Sequence, residues 1–77
     1  MEHTVTVGGD AQVIVGALLS EARDHANTGL YHSALATLDI AEPFIKVISN
    51  KYRDTYARHL DELETYCHDE LDRINAA

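Results

Sequence analysis

The chain has 77 residues, with thirteen acidic side chains against six basic ones and a formal charge of −7. A chain of that length holds one domain at most and a limited core. Its acidity argues against direct binding to nucleic-acid phosphate and against docking on an anionic membrane surface. Cys67 is the single cysteine, which excludes an intramolecular disulfide. There is no basic leader followed by an apolar run, and the longest strongly apolar stretch, Val13 to Leu19, is far too short to span a bilayer. The expectation is a cytoplasmic protein in a reducing compartment.

In chain order, His3-Thr-Val-Thr-Val7 alternates and then meets Gly8-Gly9. This reads as a flexible or extended arm over residues 1–9, ended by a turn, with pairing to another chain's strand edge as the alternative. Residues 10–77 form a single small helical domain. Asp10 is a fitting N-cap for a first helix that runs to about Asn27. Its apolar side is expected at Ile14, Ala17, Leu18 and Ala22, widened by Val13, Val15 and Leu19, with Gly16 on the opposite small or polar row. Gly16 costs about 1 kcal/mol relative to alanine inside a helix, which points to a close contact there. Asn27-Thr28-Gly29 stops the helix, and Gly29 suits a left-handed cap.

A second helix is expected from about Leu30 to Ala41, burying Tyr31, Ala34, Leu35, Leu38 and Ala41. Proline disfavours helical geometry at the residue before it and suits a helix's first turn, so Glu42 is read as a boundary and Pro43 as the start of a third helix. That helix would run to about Asn75, with a weak point at Ser49-Asn50 where a kink or break could leave the main helix starting at Lys51. Ile45, Ile48, Tyr52, Tyr56, Leu60, Leu63, Cys67, Leu71 and Ile74 fall at steps of three and four, on one stripe. The fold expected is all-α: a helical hairpin plus a long C-terminal helix in an antiparallel three-helix arrangement, joined by short connections.

Leu18, Ala22, Gly29, Tyr31, Ala34, Leu35, Leu38 and Ala41 together give the first two helices a pattern that resembles a single tetratricopeptide-like hairpin. Small residues at Ala22 and Ala34 would let the paired helices approach, with Tyr31 and Leu38 filling between them. The pattern departs from that family at His25, where an aromatic residue is usual, at Glu42, where an apolar one is, and at Pro43, which comes three residues early. No second copy follows, whereas repeat arrays need about three. What the resemblance implies is hairpin geometry.

Catalytic chemistry has little in its favour. Cys67 and His68 are neighbours, and neighbours on a helix do not face each other. No nucleophile elbow, phosphate loop or His-Glu-x-x-His pattern occurs. Cys67 on the apolar stripe reads as a core residue. Glu64, His68 and Asp72 share one helical row that could hold a weakly bound cation, but ion pairs on a solvated face account for it with fewer assumptions, because structural zinc wants four ligands. The expectation is therefore a non-enzyme with no cofactor and no metal.

The third helix carries the remaining signal. Lys46, Lys51, Arg53 and Arg58 lie in its first half, and Asp61, Glu62, Glu64, Asp69, Glu70 and Asp72 in its second, which is the reverse of what a helix dipole favours. A contact with another protein would explain that order. Tyr52, Arg53, Arg58, Asp61, Glu62, Glu64, Tyr66, Asp69 and Glu70 are the candidate partner-binding residues, with tyrosine and arginine as the residue types enriched in interface hot spots. The function expected is a small acidic protein–protein interaction module that self-associates as a homodimer through its last helix, two copies pairing antiparallel. The alternative is a phage- or plasmid-type inhibitor, an anti-CRISPR-like protein or DNA mimic whose acidic patch occupies the basic groove of a nucleic-acid enzyme.

Overall fold

The computed structural model describes residues 7–48 and 51–76, with side chains from Ala11 onward. Three helices follow one another: α1 Val7–Asn27, α2 Tyr31–Lys46 and α3 Tyr52–Ala76. They pack against each other, and no strand occurs among the described residues. α1 and α2 form the most extensive pairing, α2 and α3 the next, and α1 and α3 the least. The all-α, three-helix architecture expected from the sequence is the one found.

The α1–α2 hairpin is closed by a specific device. Gly29 adopts φ 81°, a left-handed conformation that glycine enters at little cost. This lets Leu30 N–H donate to the His25 carbonyl at 2.8 Å and Gly29 N–H donate to the Ala26 carbonyl at 3.1 Å, the paired bonds of a Schellman cap. The Thr28 hydroxyl adds a bond to the His25 carbonyl at 3.0 Å. Orphan carbonyls at the end of α1 are thereby satisfied, and the chain turns back within three residues.

Among the described residues, five of the twelve buried apolar ones are alanines: Ala11, Ala22, Ala26, Ala34 and Ala41. All five lie on α1 or α2, so these two helices meet across small side chains and approach closely. Val15, Leu38, Ile48 and Cys67 are the largest fully buried side chains. α3 contributes only Leu60 and Cys67 to the buried set, supported by half-buried Tyr56, Ala57 and Leu63. The single buried polar side chain among the described residues, Thr37, donates its hydroxyl to the Ser33 carbonyl at 3.0 Å.

Three expectations are corrected. First, α1 begins at Val7, so Gly8 and Gly9 are helical and Asp10 lies within the first turn instead of capping it. Ala11 is 2% exposed, and a buried helical amide needs its acceptor four residues back, which requires the preceding turn. Residues 1–6 of the expected arm lie outside the described residues. Second, the buried row of α1 is Ala11, Val15, Leu19, Ala22 and Ala26, while Val13, Ile14 and Ala17 face outward. Val15, Leu19 and Ala22 are buried as expected, and Ala11 and Ala26 extend that row at either end.

Third, Pro43 stands inside α2 and does not start the last helix. Ala34, Leu38, Ala41 and Ile45 are buried at steps of four, three and four, and packing along that row holds the backbone helical through Glu42 and Pro43 against their local preference. The missing proline N–H removes a helical bond to Asp39 only one turn before α2 ends, where the cost is smallest. Val47 and Ile48 then close the helix with bonds to the Phe44 and Ile45 carbonyls. The break falls between α2 and α3 at the weak point read from the sequence, whose Ser49 and Asn50 lie outside the described residues. Lys46 thus belongs to the last turn of α2, Asp54 to the first turn of α3 and Arg73 to its last. Those three charges suit their helix dipoles, which act mainly within the end turns, while Arg53 in the first turn of α3 does not. The break moves Lys46 onto another helix, but α3 keeps Arg53 and Arg58 ahead of Asp61, Glu62, Glu64, Asp69, Glu70 and Asp72.

Gly16 provides a direct check on the α1–α3 spacing. A Cβ built on it would meet the Tyr56 hydroxyl at 4.0 Å, an ordinary van der Waals distance. The close contact expected there is absent, so Gly16→Ala is expected to stabilise the protein by about 0.5–1 kcal/mol through helix propensity alone. Thermal unfolding followed by circular dichroism checks this, and a lower midpoint would mean that the Tyr56 side chain sits closer to Gly16 than the 4.0 Å of this contact.

Candidate functional site

α3 presents different chemistry on its two sides. Tyr56, Leu60, Leu63 and Cys67 turn inward and dock it on the hairpin. Arg53, Arg58, Asp61, Glu62 and Asp69 are exposed, and Glu64 is half-buried. No ion pair engages these six side chains among the described residues, where the pairs found are His25–Glu21 and Arg73–Glu70. The outward surface of α3 is therefore charged throughout its middle and carries no apolar stripe of its own.

Tyr66 and Glu70, two of the candidate residues, are engaged within the molecule. The Tyr31 and Tyr66 rings meet edge to face, with centroids 6.1 Å apart and planes at 70°, a favoured aromatic geometry. The Tyr31 hydroxyl donates to Glu70 Oε1 at 3.4 Å, and the Arg73 guanidinium donates to the same oxygen. The Arg73 hydrogen bond holds the Glu70 carboxyl below the usual carboxylate range. Desolvation first, and then the neighbouring Tyr66 and Glu70, push the Tyr31 phenol up. This cluster ties the start of α2 to the late part of α3. Residues from Leu71 to Ala76 therefore continue beyond the hairpin's closed end, and Ile74 there is 49% exposed. Tyr52, by contrast, is exposed at the start of α3, with the Lys51 ammonium 5.5 Å from its ring centroid.

A groove of about 280 Å³ runs between α1 and α3, lined by Leu19, Arg23, His59, Glu62, Leu63 and Tyr66. Leu19 and Leu63 supply the apolar floor, and Arg23, His59, Glu62 and the half-exposed Tyr66 form the rim. Sequence reasoning identified Glu62 and Tyr66 but not Leu19, Arg23 or His59. His59, Glu62, Leu63 and Tyr66 recur at helical spacing and were readable as one row. Arg23 joins them only through the register between α1 and α3, which no local pattern encodes. A smaller cleft of about 190 Å³ lies between α2 and α3, with Ile45, Ala57 and Leu60 below Glu42, Lys46 and Asp61.

The described residues hold no group of three or more His, Cys, Asp or Glu side chains placed to bind a metal ion. Cys67 is fully buried, and burial pushes its thiol up, away from the reactive thiolate. No helix among the described residues is long and apolar enough to cross a membrane. No protein-family model matches the chain, and neither do any curated protein or solved structure. The likeness to a tetratricopeptide hairpin accordingly stays one of helix geometry.

Two outcomes follow from this geometry. A carboxylate with a lowered folded-state pKa contributes stability above its unfolded value and loses it as pH falls through the folded one. The stability difference between the native protein and Glu70→Gln is thus expected to be full at neutral pH, to shrink as pH falls below the ordinary value of 4.5 and to vanish only below the lowered folded value, as read by urea unfolding across pH. Cys67 is expected to react with an aromatic disulfide reagent only as fast as α3 undocks. Labelling of the folded protein at the rate of a free peptide thiol would show that the site is open.

Proposed function

We propose that the protein is a small, acidic, non-catalytic protein–protein interaction module of the cytoplasm, and that its partner is a basic segment of another protein. The contact surface is the outward side of α3, from Tyr52 and Arg53 through Arg58, Asp61, Glu62, Glu64 and Tyr66 to Asp69 and Glu70. The observation that carries this reading is the groove between α1 and α3, where Glu62 and Tyr66 meet Leu19, Arg23, His59 and Leu63. An apolar floor with a mixed, partly aromatic rim matches the anatomy of a small anchor site, where one side chain of a partner inserts and the rim fixes its orientation. At about 280 Å³ the groove suits a side chain more than a free metabolite. Asp61, Glu62 and Asp69 make no ion pair among the described residues and can serve an incoming cation. The net charge of −7 would hasten the encounter at low salt.

α3 is less suited to pair with another α3. Tyr56, Leu60, Leu63 and Cys67 are occupied inside the chain, and exposed Tyr52, Tyr66 and Ile74 are spread over its length, so an α3–α3 dimer would rest largely on exposed ion pairs such as Arg58 with a second copy's carboxylates. Exposed pairs contribute about 0–1 kcal/mol each, too little to offset the cost of association.

The second reading uses the same carboxylates. Exposed Asp61, Glu62, Asp69 and Asp72 along one helix favour the phage- or plasmid-type inhibitor, in which they stand in for phosphates in the basic groove of a nucleic-acid enzyme.

Capture from the native host, read by mass spectrometry, tests both. The native chain and an Asp61→Asn, Glu62→Gln, Asp69→Asn variant serve as baits of equal helicity. A specific protein retained by the first and lost by the second, with retention weakening as salt rises, is the expected result. Equal retention by both baits would overturn the assignment to α3. Loss of enzyme inhibition by the variant, where the captured protein is a nuclease or polymerase, would select the inhibitor reading.

A further inference from the structure

Tyr66 belongs to two arrangements at once. Its ring lines the groove between α1 and α3 with Leu19, Arg23 and Leu63. The same ring meets Tyr31 edge to face, with centroids 6.1 Å apart and planes at 70°. Tyr31 itself does not line the groove. The two residues differ in how firmly they are held. Tyr31 is the first residue of α2 and follows directly on the turn that Gly29 caps. On its N-terminal side Leu30 N–H bonds the His25 carbonyl, and the Leu30 carbonyl accepts from Ala34 N–H at 2.9 Å. The Tyr31 ring packs half-buried against the core, and its hydroxyl donates to Glu70 Oε1, an oxygen that Arg73 also holds. Tyr66, by contrast, is 45% exposed on α3. A tyrosine inside a helix has two accessible χ1 wells, near 180° and −60°, because the third drives the ring into the preceding turn.

We infer that Tyr31 is a positioning residue for the groove: its ring, fixed by the hairpin turn, holds Tyr66 in one rotamer and so shapes the groove from outside it. In the other well the Tyr66 ring leaves Tyr31 and changes the space above Leu19 and Leu63, the floor on which a partner's side chain would rest. An edge-to-face pair favours the paired arrangement by roughly two- to tenfold in population, enough to decide between two wells on a half-exposed side chain. The hydroxyl bond to Glu70 places the Tyr31 ring, and the ring contact does the selecting. A partner then meets a rim that is already ordered, which lowers the entropy lost on binding. The coupling also runs backwards: an occupant that favours the paired rotamer of Tyr66 tightens its contact with Tyr31 by the same factor. The inference rests on the groove reading for its bearing on a partner, while the arrangement itself belongs to the free protein.

Vicinal couplings between Tyr66 Cγ and its backbone nitrogen and carbonyl carbon, measured by nuclear magnetic resonance on the full chain, report the χ1 populations. The methyl resonances of Leu19 and Leu63 report where the ring lies over the floor. One rotamer is expected to dominate in the native protein. In Tyr31→Leu that preference is expected to fall roughly two- to tenfold, with both leucines' methyl resonances displaced. Tyr31→Phe keeps the ring and is expected to keep the native populations. Unchanged helicity and an unchanged Cys67 labelling rate separate this effect from undocking of α3, which would move both. Should Tyr31→Leu undock α3, Tyr31→Ile provides the same comparison. Averaged rotamers in the native chain would overturn the proposal, as would native populations in a folded Tyr31→Leu or Tyr31→Ile. Averaging in Tyr31→Phe would place the restraint in the Glu70 bond and exclude the ring contact as its source. None of these results bears on the capture experiment, where equal retention by both baits removes the partner and leaves the coupling of Tyr31 to Tyr66 standing.

Discussion

The close pairing of α1 and α2 across alanine sets the terms for everything else in this molecule. Ala11, Ala22, Ala26, Ala34 and Ala41 bring two backbones together, and the Gly29 cap fixes the turn that makes the pairing antiparallel. Helices that approach this closely exclude bulk from between them, so larger apolar side chains must find places at the edges. Leu19, Leu38 and Ile45 are covered beneath α3 or near it, and Ile14, Ile40 and Val47 are left on the far side. A single packing choice thus creates both the seat for the third helix and an uncovered apolar face.

α3 answers that seat with few residues. Leu60 and Cys67 are its only buried side chains, and Tyr31, Tyr66, Glu70 and Arg73 form a polar and aromatic clasp near the top of the contact. Such a mixed clasp adds direction more than energy, because its groups are partly exposed to water. It positions Tyr66 beside the groove and leaves the carboxylates of α3 facing outward. The site is therefore a by-product of how the helix is anchored: the residues that hold α3 also shape the rim that a partner would touch.

How much of this was legible in the sequence depended on whether the signal was local. Gly29, the helical rows through Ala34, Leu38 and Ala41, and the inward row through Leu60 and Cys67 were readable, since turn chemistry and periodicity act over a few residues. The face of α1 was read only in part: Val15, Leu19 and Ala22 are buried and Val13, Ile14 and Ala17 are not. Apolar residues surround the first half of this helix, and hydropathy alone does not say which side packs. Pro43 was misread for another reason: its local preference was real, but burial of Ala41 and Ile45 on either side overruled it. Of the candidate site, Asp61, Glu62, Tyr66 and Asp69 lie exposed on one helix, as a helical pattern of polar residues implies. The contributions of Leu19, Arg23 and Tyr31 depend on the relative register of three helices, which is a property of the assembled fold.

The light attachment of α3 has a consequence for the order in which the chain acquires its shape. Contacts between α1 and α2 can form as soon as both have been synthesised, whereas α3 follows them in the chain and docks after it emerges. For that interval the hairpin carries an uncovered apolar surface on both sides. The short connection from Val47 to Lys51 then governs fidelity, because it holds each α3 near its own hairpin at an effective concentration far above that of a neighbour's. A longer or stiffer connection would let helices exchange between copies, and the brevity of that joint is what keeps a weakly anchored helix at home.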